Sequence, residues 1–527
     1  MTNKYIYITL LALLGVNAET TAQSTTRKDA PRLVISIAID QLRSDYLEAF
    51  APLYTEGGFK RLLSQGHVYV NGTYPFAPVD RASAVAALAT GVTPYYNSIV
   101  GARWLNRETL RPTGCVDDAK SPGLFTGETA SPSGISTSTV SDELKVATDG
   151  QARVYSIAPF RDAAVLAGGH AADGAFWIDD NYGQWCSSQY YFSTIPQWVY
   201  AYNGLRAPNM KIESSTWEPA NVMVGSFDYF VQSTQPQKPF KHKFTGNKRF
   251  GEYKTSGLVN ADVTDLATHC IANAGLGGDR VTDLLCLTYY AGSFNHQALT
   301  DCQMELLDTY VRLDRELERL FIYTEQNIGL DNVLFVVTST GYCDEQPTDY
   351  VKYRVPSGTF YMSRTAGLLN MYFGALYGQG NYVETTFRNQ FFLNHKLLET
   401  KRISISEATS RAQEMLAMMA GVRNVYTSLQ LLTGQAEQIQ KIRNGYNPER
   451  CGDLVIETAP GWRILTEDTQ ESELPTTSYT QFPIFIFGAG TTPQRIDMPV
   501  STSRIAPTIA RSIRIRAPNA CASEPLF

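Results

Sequence analysis

The side chains that most often build reactive centres are few in this chain and widely spread. Only six histidines occur, at 67, 170, 242, 269, 296 and 395, so an imidazole-rich metal centre has little to draw on. The eight cysteines (115, 186, 270, 286, 302, 343, 451 and 521) form no CxxC pair. A thiolate zinc site or a dithiol redox motif is therefore not expected. One carboxylate stands out: Asp40 closes the apolar run LVISIAID, where a buried strand would deliver it to a sheet edge.

The elements that must position such groups are legible. Arg32 to Asp40 reads as a buried strand, Tyr46 to Gln65 as a helix and His67 to Tyr74 as a short strand. Ala82 to Ala89 is helix-prone and stops at Thr90-Gly91. Arg153 to Pro159, Asp283 to Tyr290, Asn332 to Thr338 and Phe482 to Phe487 are further strands. Asp301 to Thr324 carries Leu306, Leu307, Tyr310, Leu313, Leu317, Leu320 and Phe321 at helical spacing, and Ile505 to Ile513 is a closing helix. Buried strands alternating with amphipathic helices predict an α/β fold, a mostly parallel sheet covered on both faces. Between 346 and 455 helical, polar sequence (Ser406 to Gly421, Thr427 to Gly445) interrupts this pattern and reads as an inserted helical or mixed subdomain. The expected division is a leader over 1–22, core over 23–345, insert over 346–455 and core again over 456–527.

Composition narrows the setting. The chain has 527 residues, 43% hydrophobic and 18% charged, with net charge −6. That length fits one large α/β domain with an insertion or two ordinary domains. No block of Lys or Arg suggests a nucleic-acid groove or a polybasic membrane patch. Lys4, the apolar run Tyr5 to Val16 and the Val16-Asn17-Ala18 pattern form an expected export signal, cleaved after 18 or after 22. The run is about 12 residues, short of the ~20 that span a bilayer core of roughly 30 Å. With no cysteine before Cys115, a lipid anchor at the cleavage site is not expected, and the mature protein is placed in the periplasm or outside the cell. Some cysteines would find partners in that oxidising setting, although Cys286, inside an apolar run, reads as a buried small residue.

Several segments carry a resemblance: LVISIAIDQLRSDYLEAF (33–50) with GGFKRLLSQG, PVDRASAVAALATGVTP (78–94) with GARW (101–104), HAADGAFWIDDNYGQW (170–185) with SSQYY, and QFPIFIFG (481–488) with IAPTIA and EPL. The stretch GQGNYVETTFRNQFFLNHKL in the insert belongs with them. On these segments the chain is similar to the alkaline phosphatase superfamily, in its bacterial branch near the type I phosphodiesterase/nucleotide pyrophosphatases. The resemblance implies two zinc ions at the C-terminal sheet edge, bridged by a Thr or Ser nucleophile, with about three carboxylates and three imidazoles as ligands.

Set against that pattern, the chain resembles a degenerate member, a pseudoenzyme. Asp40 matches the first metal-binding aspartate. The nucleophile position, nine residues before Thr90, holds Arg81, whose guanidinium is always protonated and has no acceptor. Ser83 is the nearest hydroxyl and a weak candidate for a displaced nucleophile. Ala102 replaces the phosphate-binding Asn, and Phe160 and Asp162 stand at the Lys and Arg of a phosphate clamp. The Asp-x-x-x-His pair reads Gly292 to His296, the Asp-His-Gly reads Ser339-Thr340-Gly341, and the last histidine is Gln481. Only Asp40 and His296 remain of six ligands.

The resemblance thus implies no zinc and no phosphate-ester hydrolysis, with an Asp40–Arg81 ion pair filling the pocket. A binding or assembly role in the cell envelope follows, with protein partners meeting the insert or the aromatic segment Trp177 to Tyr202. The alternative is a zinc-dependent phosphomonoesterase or phosphodiesterase with a remodelled site. Asp40, Asp80, Asp344 and Glu345 would suit an all-oxygen calcium or magnesium site. Arg81, Arg103 and Arg161 would suit an anion held without cleavage.

Overall fold

The computed structural model describes residues 29–225, 239–344, 352–465, 476–477 and 480–527. The export signal expected at 1–22 and Glu345 lie outside the described residues. Strand β1 (Leu33–Asp40) is buried along almost its whole length, because each face meets a different core. Leu33, Ile35, Ile37 and Ile39 enter one apolar cluster while Val34 and Ala38 enter two others on the opposite face.

With β2 (His67–Thr73), β3 (Val154–Ile157), β4 (Gly174–Ile178), β5 (Asp283–Tyr290), β6 (Val333–Ser339) and β7 (Phe482–Gly488), β1 forms the body of an 11-stranded sheet. Strands β6, β1, β5, β3 and β4 run parallel in that order, and β7 and β2 join antiparallel beyond β6. Helices α1 (Arg81–Thr90), α2 (Val140–Ala147), α3 (Arg161–Gly168), α4 (Val259–Ala274), α5 (Leu299–Asn327) and, near the C-terminus, Ile505–Ser512 cover the two faces. This is the α/β architecture, a mostly parallel sheet covered on both faces, that the alternating pattern predicts. The parallel strands point their C-terminal ends at one edge, where such sheets place their ligands.

One local reading is corrected. The helix expected over 46–65 is broken into Ser44–Ala49, a 3₁₀ turn Ala51–Leu53 and Phe59–Gln65. Pro52 and the Gly57-Gly58 pair break it, and a Cβ on Gly58 would stand 2.2 Å from the Asp314 carboxylate. The insert, expected to be helical or mixed, sets its helices beside a four-stranded antiparallel sheet of Val383–Phe387, Gln390–Leu393, Val422–Thr427 and Leu454–Thr458. Gly358–Tyr361 pairs in parallel with Trp462–Leu465 as a separate two-stranded sheet. All eight cysteines are unbonded, Cys286 buried as expected.

The insert packs against the segment that leads into α1. Ala77 N donates to Lys441 O at 3.0 Å, Asn444 Nδ2 to Pro75 O at 2.8 Å, and Asn447 Nδ2 to Ser98 Oγ at 3.2 Å. Arg107 forks onto Asp453, and the Arg450 guanidinium lies 4.4 Å from the Trp104 ring centre.

Candidate functional site

Four chain segments deliver the site to the C-terminal edge of the sheet. Asp40 is the last residue of β1, fully buried, and Gln41 after it turns with φ 64°. Arg81 is the first residue of α1. That helix starts here because Asp80 caps it: Asp80 Oδ1 accepts from Ser83 N at 2.9 Å and from Ser83 Oγ at 2.8 Å. Phe160 and Asp162 sit at the entry to α3, where β3 ends, and Ser339 and Thr340 finish β6.

Arg81 occupies the centre. Its Nη1 lies 3.3 Å from Asp40 Oδ2, and its Nε lies 3.1 and 3.2 Å from the two oxygens of Asp162. The guanidinium carbon stands 3.8 Å from the centre of the Phe160 ring, a cation–π distance. The expected Asp40–Arg81 pair is therefore present, and Asp162 is a second acid on the same cation. Thr340 Oγ1 donates to Asp40 Oδ1 at 2.9 Å and accepts from Gln41 N at 2.9 Å, and Tyr342 also hydrogen-bonds the Asp40 carboxyl. Burial pushes the Asp40 carboxyl above its ordinary range, against the pull of Arg81 and of these hydroxyls. Burial also works against the Arg81 charge, but Asp162 and Asp40 outweigh it and hold the guanidinium protonated.

The side chains at the other ligand positions that the resemblance implies are also engaged or exposed. His296 Nδ1 lies 3.0 Å from Asp344 Oδ2, and Asp344 N donates to Gln41 Oε1 at 3.2 Å. An aspartate at Gly292 would have to push neighbours aside, since its Cβ would stand 2.6 Å from Tyr290 Oη and 2.8 Å from Gln41 Cδ. Ser339 Oγ donates to Leu42 O at 2.7 Å. The Gln481 side chain is exposed, and its carbonyl accepts from Ser44 N at 2.9 Å.

Several sequence expectations part from this geometry. Ser83 is buried and its hydroxyl belongs to the α1 cap, so it is not presented as a nucleophile. Arg161 faces away from Arg81 chemically: its Nη1 donates to Thr129 O at 2.7 Å and its Nη2 to Asp117 Oδ1 at 2.8 Å. Arg103 is exposed at the start of the hairpin strand Arg103–Asn106. Two of the three arginines thus already face carboxylates rather than one open anion pocket. Asp80 Oδ2 accepts from Ala102 N at 2.7 Å, so of the proposed all-oxygen set Asp40, Asp80 and Asp344 each have other partners. Among the described residues no group of three or more His, Cys, Asp and Glu side chains is placed to hold a metal ion. The aromatic segment mostly packs inward: Trp177 and Trp185 are buried and Trp198 meets Phe176 edge-on, leaving Tyr182, Tyr190 and Tyr200 outside. Sequence reasoning missed the Asp344–His296 pair and Tyr342, for which the spacing carries no local signal.

The profile of the type I phosphodiesterase / nucleotide pyrophosphatase family matches residues 34–481. The chain belongs to that family. It is 29% identical over 510 residues to alkaline phosphatase PhoV of Synechococcus elongatus, covering 93% of this chain and 91% of the relative. It is 25% identical over 536 residues to alkaline phosphatase PafA of Elizabethkingia meningoseptica, covering 98% of both. The crystal structure of wild-type alkaline phosphatase PafA superposes with a TM-score of 0.80 at 23% identity, over 94% of this chain and 98% of that one. At that identity the likeness speaks for the fold. What the family member in hand does is decided by its own site.

Proposed function

We propose that this protein is an exported phosphatase-fold protein that does not hydrolyse phosphate esters and serves as a binding or assembly module in the cell envelope. The observation that carries the reading is Arg81 at the expected nucleophile position, held between Asp40 and Asp162 over Phe160. A guanidinium cannot attack phosphorus, and here its charge faces carboxylates rather than an incoming phosphate. The insert, an elaboration fixed to the segment before α1, is the proposed contact for protein partners. No helix among the described residues is long and apolar enough to cross a membrane, which is compatible with release after export.

The competing reading is a zinc-dependent alkaline phosphatase or phosphodiesterase, favoured by relatives named alkaline phosphatases that align over nearly their whole length. Aryl phosphate mono- and diesters, assayed with and without zinc, separate the two. The module reading expects turnover at the level of a no-protein control. A zinc-dependent rate abolished by Asp40→Ala would sink it. An envelope complex that survives chelators and Asp40→Ala alike is the expected positive result.

A further inference from the structure

The family's chemistry is that of a metal pair, and the donors in this chain can be tested against it. Two of the six positions, Asp40 and His296, keep groups able to bind zinc, and each is already engaged by a neighbour. A side chain at Gly292 would have to displace the Tyr290 hydroxyl, which itself donates to Ser293 O at 2.7 Å. At Ser339 and Thr340 the hydroxyls spend their donor protons on Leu42 O and Asp40. The Gln481 side chain points to solvent. The residues present do not fit the two-zinc group.

The space has instead been rebuilt around one organic cation. Asp40 is fully buried, and an ionised carboxylate there needs a positive partner. Arg81 supplies it in a form that suits a shared site: a planar fork with its Nε edge on Asp162, Nη1 on Asp40 and one face on Phe160. Residues at the former phosphate-clamp positions thus grip the residue at the former nucleophile position. We infer that the Arg81 guanidinium has replaced the metal pair as the charge-balancing cation of this fold, so that the chain takes no zinc here and is stable without it. The loss is entrenched, because Arg81, Gly292, Ser339, Thr340 and Gln481 would each have to change to restore the ligand set.

This inference rests on the same site as the proposed function, but the two fail separately. The full chain is exposed to zinc, desalted and measured by elemental mass spectrometry, with melting curves recorded with zinc and with a chelator. Turnover is assayed on the same sample. The expected result is zinc well below one per chain and a Tm that moves with neither addition. About two zinc ions per chain, or a Tm lowered by the chelator, overturns the inference even if turnover is absent. Zinc-free turnover would overturn the module reading and leave this one standing. Arg81→Ala is expected to lower Tm by several degrees while gaining no zinc, and Arg81→Lys, which keeps the charge without the fork, to melt between the two. Recovery of the Arg81→Ala Tm by zinc overturns the inference. If Arg81→Ala does not fold, Arg81→Lys with a wild-type Tm and retained zinc does the same.

Discussion

Arg81 and Asp162 meet edge to edge, the guanidinium Nε within 3.2 Å of both carboxylate oxygens, while Arg81 Nη1 reaches back to Asp40. The three groups form a chain in which the middle member is a cation and both ends are acids. Truncating the middle leaves Asp40 buried without its partner, which is expected to cost about 3–5 kcal/mol. Removing both charges of one link, as in Asp40→Asn with Arg81→Met, is expected to cost about 1–3 kcal/mol less than the sum of the single changes. Thermal unfolding of the four proteins of that cycle measures the coupling. Additive single effects would mean that the contact contributes nothing to stability.

Asp262 supplies a pH test far from this site. It is fully buried on α4 and receives the Tyr253 hydroxyl and the Lys211 ammonium. Burial pushes its carboxyl up to about 6, with Lys211 pulling the other way. Its folded value thus lies above the unfolded one, near 3.9. The stability it contributes is full below about pH 4 and is lost as pH rises through about 6. The Tm difference between wild type and Asp262→Asn should shrink over that window and level off above it. A difference independent of pH would refute the assignment.

His170 gives the companion test near neutrality. Its Nδ1 lies 2.9 Å from Asp142 Oδ2 and its Nε2 3.1 Å from Ile135 O, and both partners only accept. Both contacts favour the imidazolium form, and the hydrogen bond to Asp142 raises its pKa despite partial burial. A folded value above the unfolded one, about 6.5, means stability present below that pH and lost as pH climbs through the raised value. Replacing His170 with Gln should remove this alkaline loss from the Tm–pH curve. An unchanged slope above about pH 6.5 would count against the bonded imidazolium.

How much of this was legible depends on range. Strand β1 could be read because burial on both faces leaves a continuous apolar run, and the Asp40–Arg81 pairing could be anticipated because short fixed spacings place Arg81 beside the end of that strand. Asp162 could be counted in the sequence at an expected clamp position, yet its bond to Arg81 spans 81 residues. The Asp344–His296 pair, 48 residues apart, and the Tyr290 hydroxyl crowding Gly292 depend on backbone turns at Gln41, Asn295 and His296 that have positive φ. The insert's sheet was hidden for another reason. Val383–Phe387 is mostly half-buried and alternates poorly, so its strands carry a weak period-2 signal.

The seam between insert and core offers the last test. Gly445 ends the helix Glu437–Asn444 where a Cβ would stand 2.3 Å from Ala77 O and 2.8 Å from Ala77 C, both backbone atoms. Its φ of −88° suits any residue, so only the close approach excludes a side chain. Ala77 is fixed in turn, since its N–H donates to Lys441 O, and three residues later Asp80 caps α1 and sets the direction of Arg81. Gly445→Ala must therefore push the insert away from the segment that carries the site. A destabilisation of about 1–3 kcal/mol is expected, the usual range for overpacking a well-filled contact. It should come with faster proteolytic cleavage between 437 and 453 than in wild type. Wild-type melting together with wild-type cleavage would show that the seam yields freely, and that the insert does not brace the helix on which Arg81 sits.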